Sequence, residues 1–430
     1  MEKLDNIGWE INNNLRDSKF KFPALANNIE TDWLIIGGGL TGLSALNELK
    51  NKKVQGKIIL VDAGRIGLGS SSRNSGFVVD STLNNGASTI SDIKLYKKKY
   101  ALNLAGMSEL RRTVDNYKIN CDWDETGKYH AASQNNQLYK IKNFSKLLTL
   151  SGIKHQKIPK EQLSKELGTA YYKLAVKTQG GILLNPSKLL NGLVKNFING
   201  SEIYENTSID NLDYRNITAK TESGFLIKAK KIVVAVNAEL PKLGIKKRYS
   251  LPMILTSSIT RKLSKSELET IGNPRPWGLL SVKPTGATVR LTNDYRIMIR
   301  NTSEPYFNLK NFNLNKRVLI HRQSILKRFP SLDKISFDNS WTGMISISRN
   351  GNPVFGNIKD SIFYGGVFNG GGLGISVLFG GAMIDSALGI KSTRLKIVED
   401  YPKANILPPM ANLAALLRIK FDRFFGSKEY

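Results

Sequence analysis

Apolar positions along the chain fall into blocks with two different periods. Residues 33–36, Trp-Leu-Ile-Ile, make a short unbroken apolar run that stops at glycines, the pattern of a strand buried on both faces. Residues 41–49 then carry apolar positions at helical spacing, with small residues near the start, and residues 57–61 form a second apolar strand. Residues 92–175 are mostly polar and helical in pattern, with a short strand within 122–132. Residues 180–198 read as a turn and then a helix. Alternating patterns follow at 201–212, 216–221 and 224–229 and close in the apolar strand 231–236. The blocks 252–263 and 278–299 alternate with the period of antiparallel strands, and 341–389 returns to strand, Gly-rich loop and helix. Parallel-type segments at both ends with antiparallel ones between predict an α/β (α+β) chain in which one domain is interrupted by another. The expected division is an extended N-terminal arm at 1–30, a first domain from 31–95, 176–245 and 338–395, a second from 96–175 and 246–337, and a tail at 396–430.

Length and composition narrow this little. A chain of 430 residues suits two or three domains, and 41% hydrophobic with 23% charged residues is ordinary for a globular protein. The charge balance is unusual: Lys plus Arg is 63 against 35 for Asp plus Glu, a formal net charge of +28. Such a field attracts nucleic acid, anionic lipid or acidic substrates. No dense Lys/Arg block with interleaved aromatics is present, so the charge reads as compositional, with nucleic acid a lesser alternative. A single cysteine, Cys121, excludes an intrachain disulfide and a thiolate cluster. His130, His155 and His321 lie far apart, so no metal site is expected. The start lacks the apolar run of a secretory signal. Residues 373–390 are apolar enough to resemble a membrane span, but Asp385 and internal glycines favour a buried helix. The chain is expected to be soluble and cytoplasmic, with no integral membrane segment.

The strongest chemical signal follows the first strand. Gly37-Gly38-Gly39-Leu40-Thr41-Gly42 fits G-x-G-x-x-G at the opening of a helix. Gly37 makes the tight turn, Gly39 admits a pyrophosphate to the backbone, and Gly42 lets helix and strand pack closely. The helix start, at Leu40 and Thr41, offers free N–H groups and a partial positive charge to phosphate. Asp62, twenty residues after Gly42 at the end of the second strand, with Ala63 beside it, can accept hydrogen bonds from ribose hydroxyls. Strand, glycines, helix, strand and acid in that order predict a Rossmann-like dinucleotide domain. NAD and FAD sites share this motif, and the choice between them must come from elsewhere; the next loop, 67–76, holds Ser70, Ser71, Arg73, Asn74, Ser75 and Gly76, hydroxyls and small residues with one Arg.

From this loop onward the chain resembles the D-amino-acid oxidase superfamily of FAD enzymes, in the γ-glutamylputrescine oxidoreductase-like branch. Residues 66–76 line up with that branch's I-G-x-G-A-S-G-R-N-G-G segment. Gly180-Gly181 with Asn185-Pro186 resembles its G-G-x-x-x-P segment, and Glu205, Thr207 and Ile209 its E-x-T-x-V strand. Residues 231–238 are similar to V-V-V-A-T-N-A, and Arg290, Thr292, Asp294 and Arg296 to R-L-T-x-D-x-R, although Arg300 stands where the family tends to have glycine. Trp341 with Gly343 and Pro353 with Gly356 match W-x-G and P-x-x-G, and Asn369-Gly370-Gly371-Gly372 lead into the last apolar helix. The resemblance spans roughly residues 30–395. It implies FAD as cofactor, Ile209 near adenine through its backbone, Ala235 and Asn237 near the flavin, and residues 369–372 at its pyrimidine edge. A helix start there would favour negative charge on the reduced ring. Some members attach FAD through a cysteine near the C-terminus or a histidine near the N-terminus; Cys121 and His130 match neither place, so noncovalent FAD is expected.

The implied reaction is hydride removal from a carbon bearing an amine, followed by hydrolysis of the imine, with O2 or another electron acceptor regenerating the flavin. For a substrate carboxylate, Arg290, Arg296 and Arg300 are candidate forks, with Arg296 equally suited to a β-turn ion pair with Asp294. Lys283 is a candidate for promoting the reaction with oxygen. A second reading follows from the charge, since the superfamily includes the flavin domain of a tRNA-modifying enzyme and a basic relative could hold RNA by phosphate contacts. The basic tail at 416–425 could bind a membrane surface, but it is short and contains Asp422, so docking on its own domain is the expectation.

Overall fold

A computed structural model describes residues 7–10, 21–83, 92–283, 285–306 and 313–424. Five strands run parallel in the order Glu202–Tyr204, Ile58–Val61, Ile29–Ile36, Leu226–Val234 and Ile362–Gly366, and Val354–Ile358 closes the last edge antiparallel. Leu34 and Ile35 are fully buried on opposite faces, which is why their run is continuously apolar. The helices Leu40–Asn51, Ile93–Asn116, Pro186–Phe197 and Gly372–Ala387 cover one face with Leu43, Met107, Leu190 and Val377. Pro186–Phe197 starts as its sequence dictates: the Asn185 side chain accepts from the Ser187 and Lys188 N–H groups, and Pro186 takes the first helical position.

The second sheet has eight strands, in the order Phe337–Ile347, Leu251–Thr260, Ile297–Pro305, Thr288–Leu291, Trp277–Ser281, Lys128–Ala132, Leu174–Thr178 and His155–Pro159. All neighbours are antiparallel except Trp277–Ser281 with Lys128–Ala132. Ile297, Ile299 and Val289 pack one face against Ile325 of the helix Leu314–Arg328. The opposite face turns toward the first sheet, as the Trp341 indole shows by donating to the Arg73 carbonyl at 2.9 Å.

The structure moves several expected boundaries. The helix Ile93–Asn116, expected in the interrupting domain, packs in both cores: Tyr96 lies with Ala132 and Val176 of the second sheet, and Met107, Leu110 and Val114 lie in the core of the first; a Cβ at Gly106 would lie 2.6 Å from the Gly374 backbone, so only glycine lets the two helices cross this closely. The strand Phe337–Ile347, expected with the first domain, belongs to the second sheet, where Trp341 pairs with Ser257. The segments 224–229 and 231–236 are one strand, Leu226–Val234, parallel to Ile29–Ile36 along its length. Two short strands, His155–Pro159 within the stretch read as helical and Leu174–Thr178 at its end, have only five residues each, too few for a period to show. The arm is anchored at the 3-10 turn Gly8–Glu10, where Ile7 and Trp9 are buried against Trp341. Residues 1–6 and 11–20 of the arm, and 425–430 of the tail, lie outside the described residues.

The apolar segment at 373–390 is the buried helix Gly372–Ala387, and no helix among the described residues is long and apolar enough to cross a membrane. Its Asp385 is fully buried, and two of its partners belong to Arg394, whose fork also holds Glu48 of the first helix. Burial raises the Asp385 pKa, but the bonds from Arg394 and Ser392 outweigh it and hold the carboxyl below its ordinary value. Removing Asp385 leaves the Arg394 guanidinium held by Glu48 alone, and breaking a buried pair in this way is costly. Asp385→Ala should therefore lower stability by about 3–5 kcal/mol, read as a lower denaturant midpoint. The native contribution is present above the ordinary carboxylate pKa and fades as acid carries the pH down through the depressed one; a midpoint that ignores the substitution would contradict this.

Candidate functional site

The site begins where the strand Ile29–Ile36 runs out. Gly37 has φ +104°, a conformation that favours glycine, and a Cβ there would lie 2.8 Å from the Ala235 carbonyl oxygen. A Cβ at Gly42 would lie 1.9 Å from the Gly37 carbonyl oxygen, so the helix can start this close to the strand only with glycine. The first helical bond runs from the Leu43 N–H to the Gly39 carbonyl at 2.9 Å. The Leu40 N–H is taken by the Ser71 hydroxyl at 3.0 Å, and among the described residues the N–H groups of Thr41 and Gly42 meet no acceptor. Two open donors at a helix start form an anion cradle.

Asp62 closes the other side. Its carboxylate accepts from the Gly38 N–H at 2.7 Å and the Gly64 N–H at 2.8 Å, leaving lone pairs on both oxygens for ribose hydroxyls. Desolvation raises its pKa; the two N–H bonds pull it down and the nearby Glu205 charge adds to the rise. Ala63 is exposed at the turn. The Thr207 N–H donates to the Asp62 carbonyl at 2.8 Å and the Asn206 N–H to that of Gly64 at 3.1 Å, which sets Ile209 at the strand start just beyond. Glu205, to which the sequence reading gave no role, is buried and accepts from the Ile66 N–H at 2.9 Å, holding the next loop in place. The E-x-T spacing was the available signal for it.

That loop is pinned mainly by its own polar groups. Ser70–Arg73 form one helical turn. Arg73 donates to the carbonyls of Leu68 (2.8 Å) and Thr342 (3.3 Å), and Asn74 accepts from the Gly76 N–H at 2.9 Å. The Trp9 indole donates to the Asn74 carbonyl at 2.9 Å. Arg290 reaches the Ser75 carbonyl at 3.2 Å and that of Leu184 at 2.6 Å and stacks 5.1 Å from the Trp9 ring. It is buried, and burial pulls its pKa down to about 10. Its Nη1 donates to these backbone carbonyls and braces the loop, while its buried Nε meets no hydrogen-bond partner among the described residues. Arg296 likewise binds Asp294 at 2.8 Å, together with Asp338.

A second glycine loop faces the first. Asn237 (φ +47°) accepts from the Val367 N–H at 2.8 Å, while Asn369 (φ +54°) accepts from the Ser348 N–H at 2.8 Å. Both asparagines thus hold the loop, with Gly370, Gly371 and Gly372 passing into the buried helix Gly372–Ala387, which has no side-chain cap. The Ala235 N–H donates to the Ile36 carbonyl at 2.8 Å, joining the two glycine turns through adjacent strands. A cavity beside this loop is lined by Lys99, Asn103, Phe368, Asn369, Gly371 and Tyr401. Burial lowers the Lys99 pKa to about 7. Sequence reasoning missed Lys99; its signal was a lysine on the apolar face of a helix, in step with Tyr96 and Leu102.

Arg300 differs from Arg290. It is half-buried, and the Thr288 hydroxyl is its hydrogen-bond partner; no carboxylate pairs with it among the described residues. Burial lowers its pKa to about 10. Ser257 stands opposite both Arg300 and Trp341, so all three share the face turned to the loop 67–76. Lys283 sits in the turn after Trp277–Ser281, its N–H donating to the Ser281 hydroxyl at 3.0 Å, and its neighbour Val282 packs with Tyr96 and Phe144. No group of three or more His, Cys, Asp or Glu side chains able to hold a metal occurs among the described residues.

These residues fit a long anionic dinucleotide: open N–H groups at one helix start, a carboxylate for a sugar, and an uncapped helix start behind a second glycine loop. Gly42→Ala should give a chain that does not retain FAD. Asp62→Asn should weaken FAD binding by about tenfold or more, as loss of a charge-assisted hydrogen bond does. In the native chain, affinity should fall as pH drops through the Asp62 pKa, which burial raises from its ordinary value, whereas the Asn variant should be flat there. Fluorescence titration of FAD against pH checks all three, and a Gly42→Ala chain that keeps FAD would be incompatible with the cradle.

Comparison with known proteins agrees with this geometry. Residues 32–386 match the DAO family model, described as FAD dependent oxidoreductase. A Haemophilus influenzae protein described as "Probable oxidoreductase OrdL" is 25% identical over 427 residues, covering 95% of each chain. The Escherichia coli gamma-glutamylputrescine oxidoreductase is 24% identical over 379 residues, 84% of each. Among solved structures, L-proline dehydrogenase from P. horikoshii superimposes with a TM-score of 0.68 at 18% identity, over 87% of this chain and 97% of that one. Glycine oxidase from Geobacillus kaustophilus gives 0.66 at 19%, over 85% and 96%. With a family match across most of its length, this chain belongs to the DAO family of FAD-dependent oxidoreductases.

Proposed function

We propose that the enzyme oxidises the carbon–nitrogen bond of a small amine that also carries a carboxylate, with FAD held noncovalently. The observation that carries the substrate class is Arg300, a half-buried guanidinium paired with a neutral hydroxyl on the face turned to the loop 67–76. A buried cation without a counter-ion is costly, and a substrate carboxylate relieves that cost with a planar, charge-assisted contact. The similarity to a gamma-glutamylputrescine oxidoreductase supports the amine part of the reading.

Bound along the two glycine loops, FAD supplies a hydride acceptor for the carbon next to the substrate nitrogen. The chain's own residues do the positioning. Thr41 and Gly42 N–H groups hold the pyrophosphate and Asp62 the ribose, while Asn237 and Asn369 fix the loop at the ring. Arg300 sets the orientation of the substrate by its carboxylate. The positive field of Arg300 and the bracing Arg290 also favours the neutral form of an entering amine, which is the form able to lose hydride. The oxidised product, an imine, hydrolyses in water to a carbonyl compound and ammonia or a smaller amine.

Cys121 supports noncovalent attachment. It is buried in the core of the first sheet, and burial pushes its thiol up to about 12, far from a reactive thiolate. Denaturing the purified enzyme should release its yellow colour to the supernatant. Anaerobic mixing with amines and amino acids should bleach the flavin absorbance for at least one of them; no bleaching by any would refute the reaction. Arg300→Gln should raise KM for carboxylated amines by about 10- to 100-fold and leave simple amines little changed. Equal losses on both classes would remove Arg300 from substrate binding.

A further inference from the structure

The C-terminal helix Ala411–Phe424 packs on the second sheet by one narrow edge. Ile419 is buried with Leu251 and Met253, and Ala415 and Leu407 extend the contact. The opposite edge carries the largest concentration of exposed apolar side chains in the described chain. Six of the thirteen exposed large hydrophobic residues fall between 406 and 424: Ile406, Met410, Leu413, Leu417, Phe421 and Phe424. Leu417 and Phe421 are each 57% exposed and Phe424 79%. At 100° per residue, positions 413, 417, 421 and 424 lie within an arc of about 80°, and Ile419 lies on the other side of the helix. The helix is therefore doubly amphipathic, and its second apolar stripe faces outward.

Basic side chains flank this stripe. Arg418 and Lys420 are exposed on the helix itself. The loop bearing exposed Lys246, Lys247 and Arg248 is tied to the segment that leads into the helix: the Leu407 N–H donates to the Arg248 carbonyl at 2.7 Å, and the Arg248 guanidinium donates to the Leu407 carbonyl at 3.2 Å. The basic loop thus lies beside the segment that leads into the striped helix, in a chain of net charge +28.

We propose that this helix is an interfacial anchor that docks the enzyme on an anionic lipid surface. Fourteen residues give a helix of about 21 Å, too short to span a hydrocarbon core of about 30 Å but suited to lying within the headgroup boundary. The long apolar side chains enter the acyl region while the flanking lysines and arginines meet lipid phosphates. A second copy of this chain fits the same face poorly, because a two-fold pairing would bring the two basic loops together.

The test is flotation of the FAD-loaded full chain with vesicles of phosphatidylcholine alone or with phosphatidylglycerol added. The native enzyme should float with the anionic vesicles, remain behind with the neutral ones, and dissociate as salt is raised. Leu417→Asp with Phe421→Asp should abolish flotation. Lys246→Glu with Lys247→Glu should cut partitioning by about tenfold or more, from about 1 kcal/mol per basic residue near the surface. Retained flavin absorbance in both variants shows that the fold is intact. Absence of flotation with anionic vesicles, or flotation indifferent to both pairs of substitutions, overturns the proposal. So does a concentration-dependent dimer that Leu417→Asp dissolves, since that would assign the stripe to a second copy.

Discussion

The contact on which the site depends is the near-touching of Gly42 and the Gly37 carbonyl. A methyl group at position 42 would overlap that oxygen, so the first helix lies on the first strand only because no side chain intervenes. Everything that follows is geometry: the helix start is brought to the strand end, its second and third N–H groups are left open, and Asp62 on the adjacent strand falls beside them. The neighbouring strand adds the Ala235 carbonyl under Gly37 and, through Asn237, fixes the second glycine loop. One close packing contact thus propagates across three parallel strands to both ends of the candidate site.

The polar groups around this frame divide by what they touch. Arg73, Asn74, Asn237, Asn369 and Arg290 make hydrogen bonds to backbone groups in and beside the two loops and hold them in non-regular conformations. Irregular backbone next to a ligand must have its N–H and C=O groups satisfied, and side chains supply those bonds here. The candidate site is left with open N–H groups, a half-buried carboxylate, the Arg300 guanidinium and the buried Arg290 Nε. That economy suits an enzyme whose cofactor carries the chemistry and whose protein supplies orientation and field.

The two halves of the molecule are joined by apolar and cationic contacts around Trp341 and Trp9. The rings meet edge to face at 6.0 Å between centroids, with Arg290 over Trp9. The indole N–H groups both donate to carbonyls of the loop 67–76. The N-terminal turn therefore acts as a wedge that sets the second sheet against the cofactor loop, and the missing Cβ of Gly8 is what lets it seat on Trp341.

Sequence alone determined the local chemistry. The apolar run before Gly37, the glycine spacing and Asp62 specify a strand, turn, helix and acid through short-range sterics and hydrogen bonding, and they appear in the structure where the pattern put them. The loop and segment resemblances likewise pointed to the family that the comparisons show. What the chain order could not express is which distant groups meet. Arg290 and Arg300 are ten residues apart on adjoining strands and look alike in sequence, yet one is enclosed by carbonyls of residues 75 and 184 and the other is not. The helix at 93–116 crosses the helix Gly372–Ala387 closely through a glycine contact with residue 374. The tail helix shows its apolar stripe only once Ile419 has claimed the opposite edge for packing. Periodicity fixes which side chains share a face; only the assembled structure decides what that face meets.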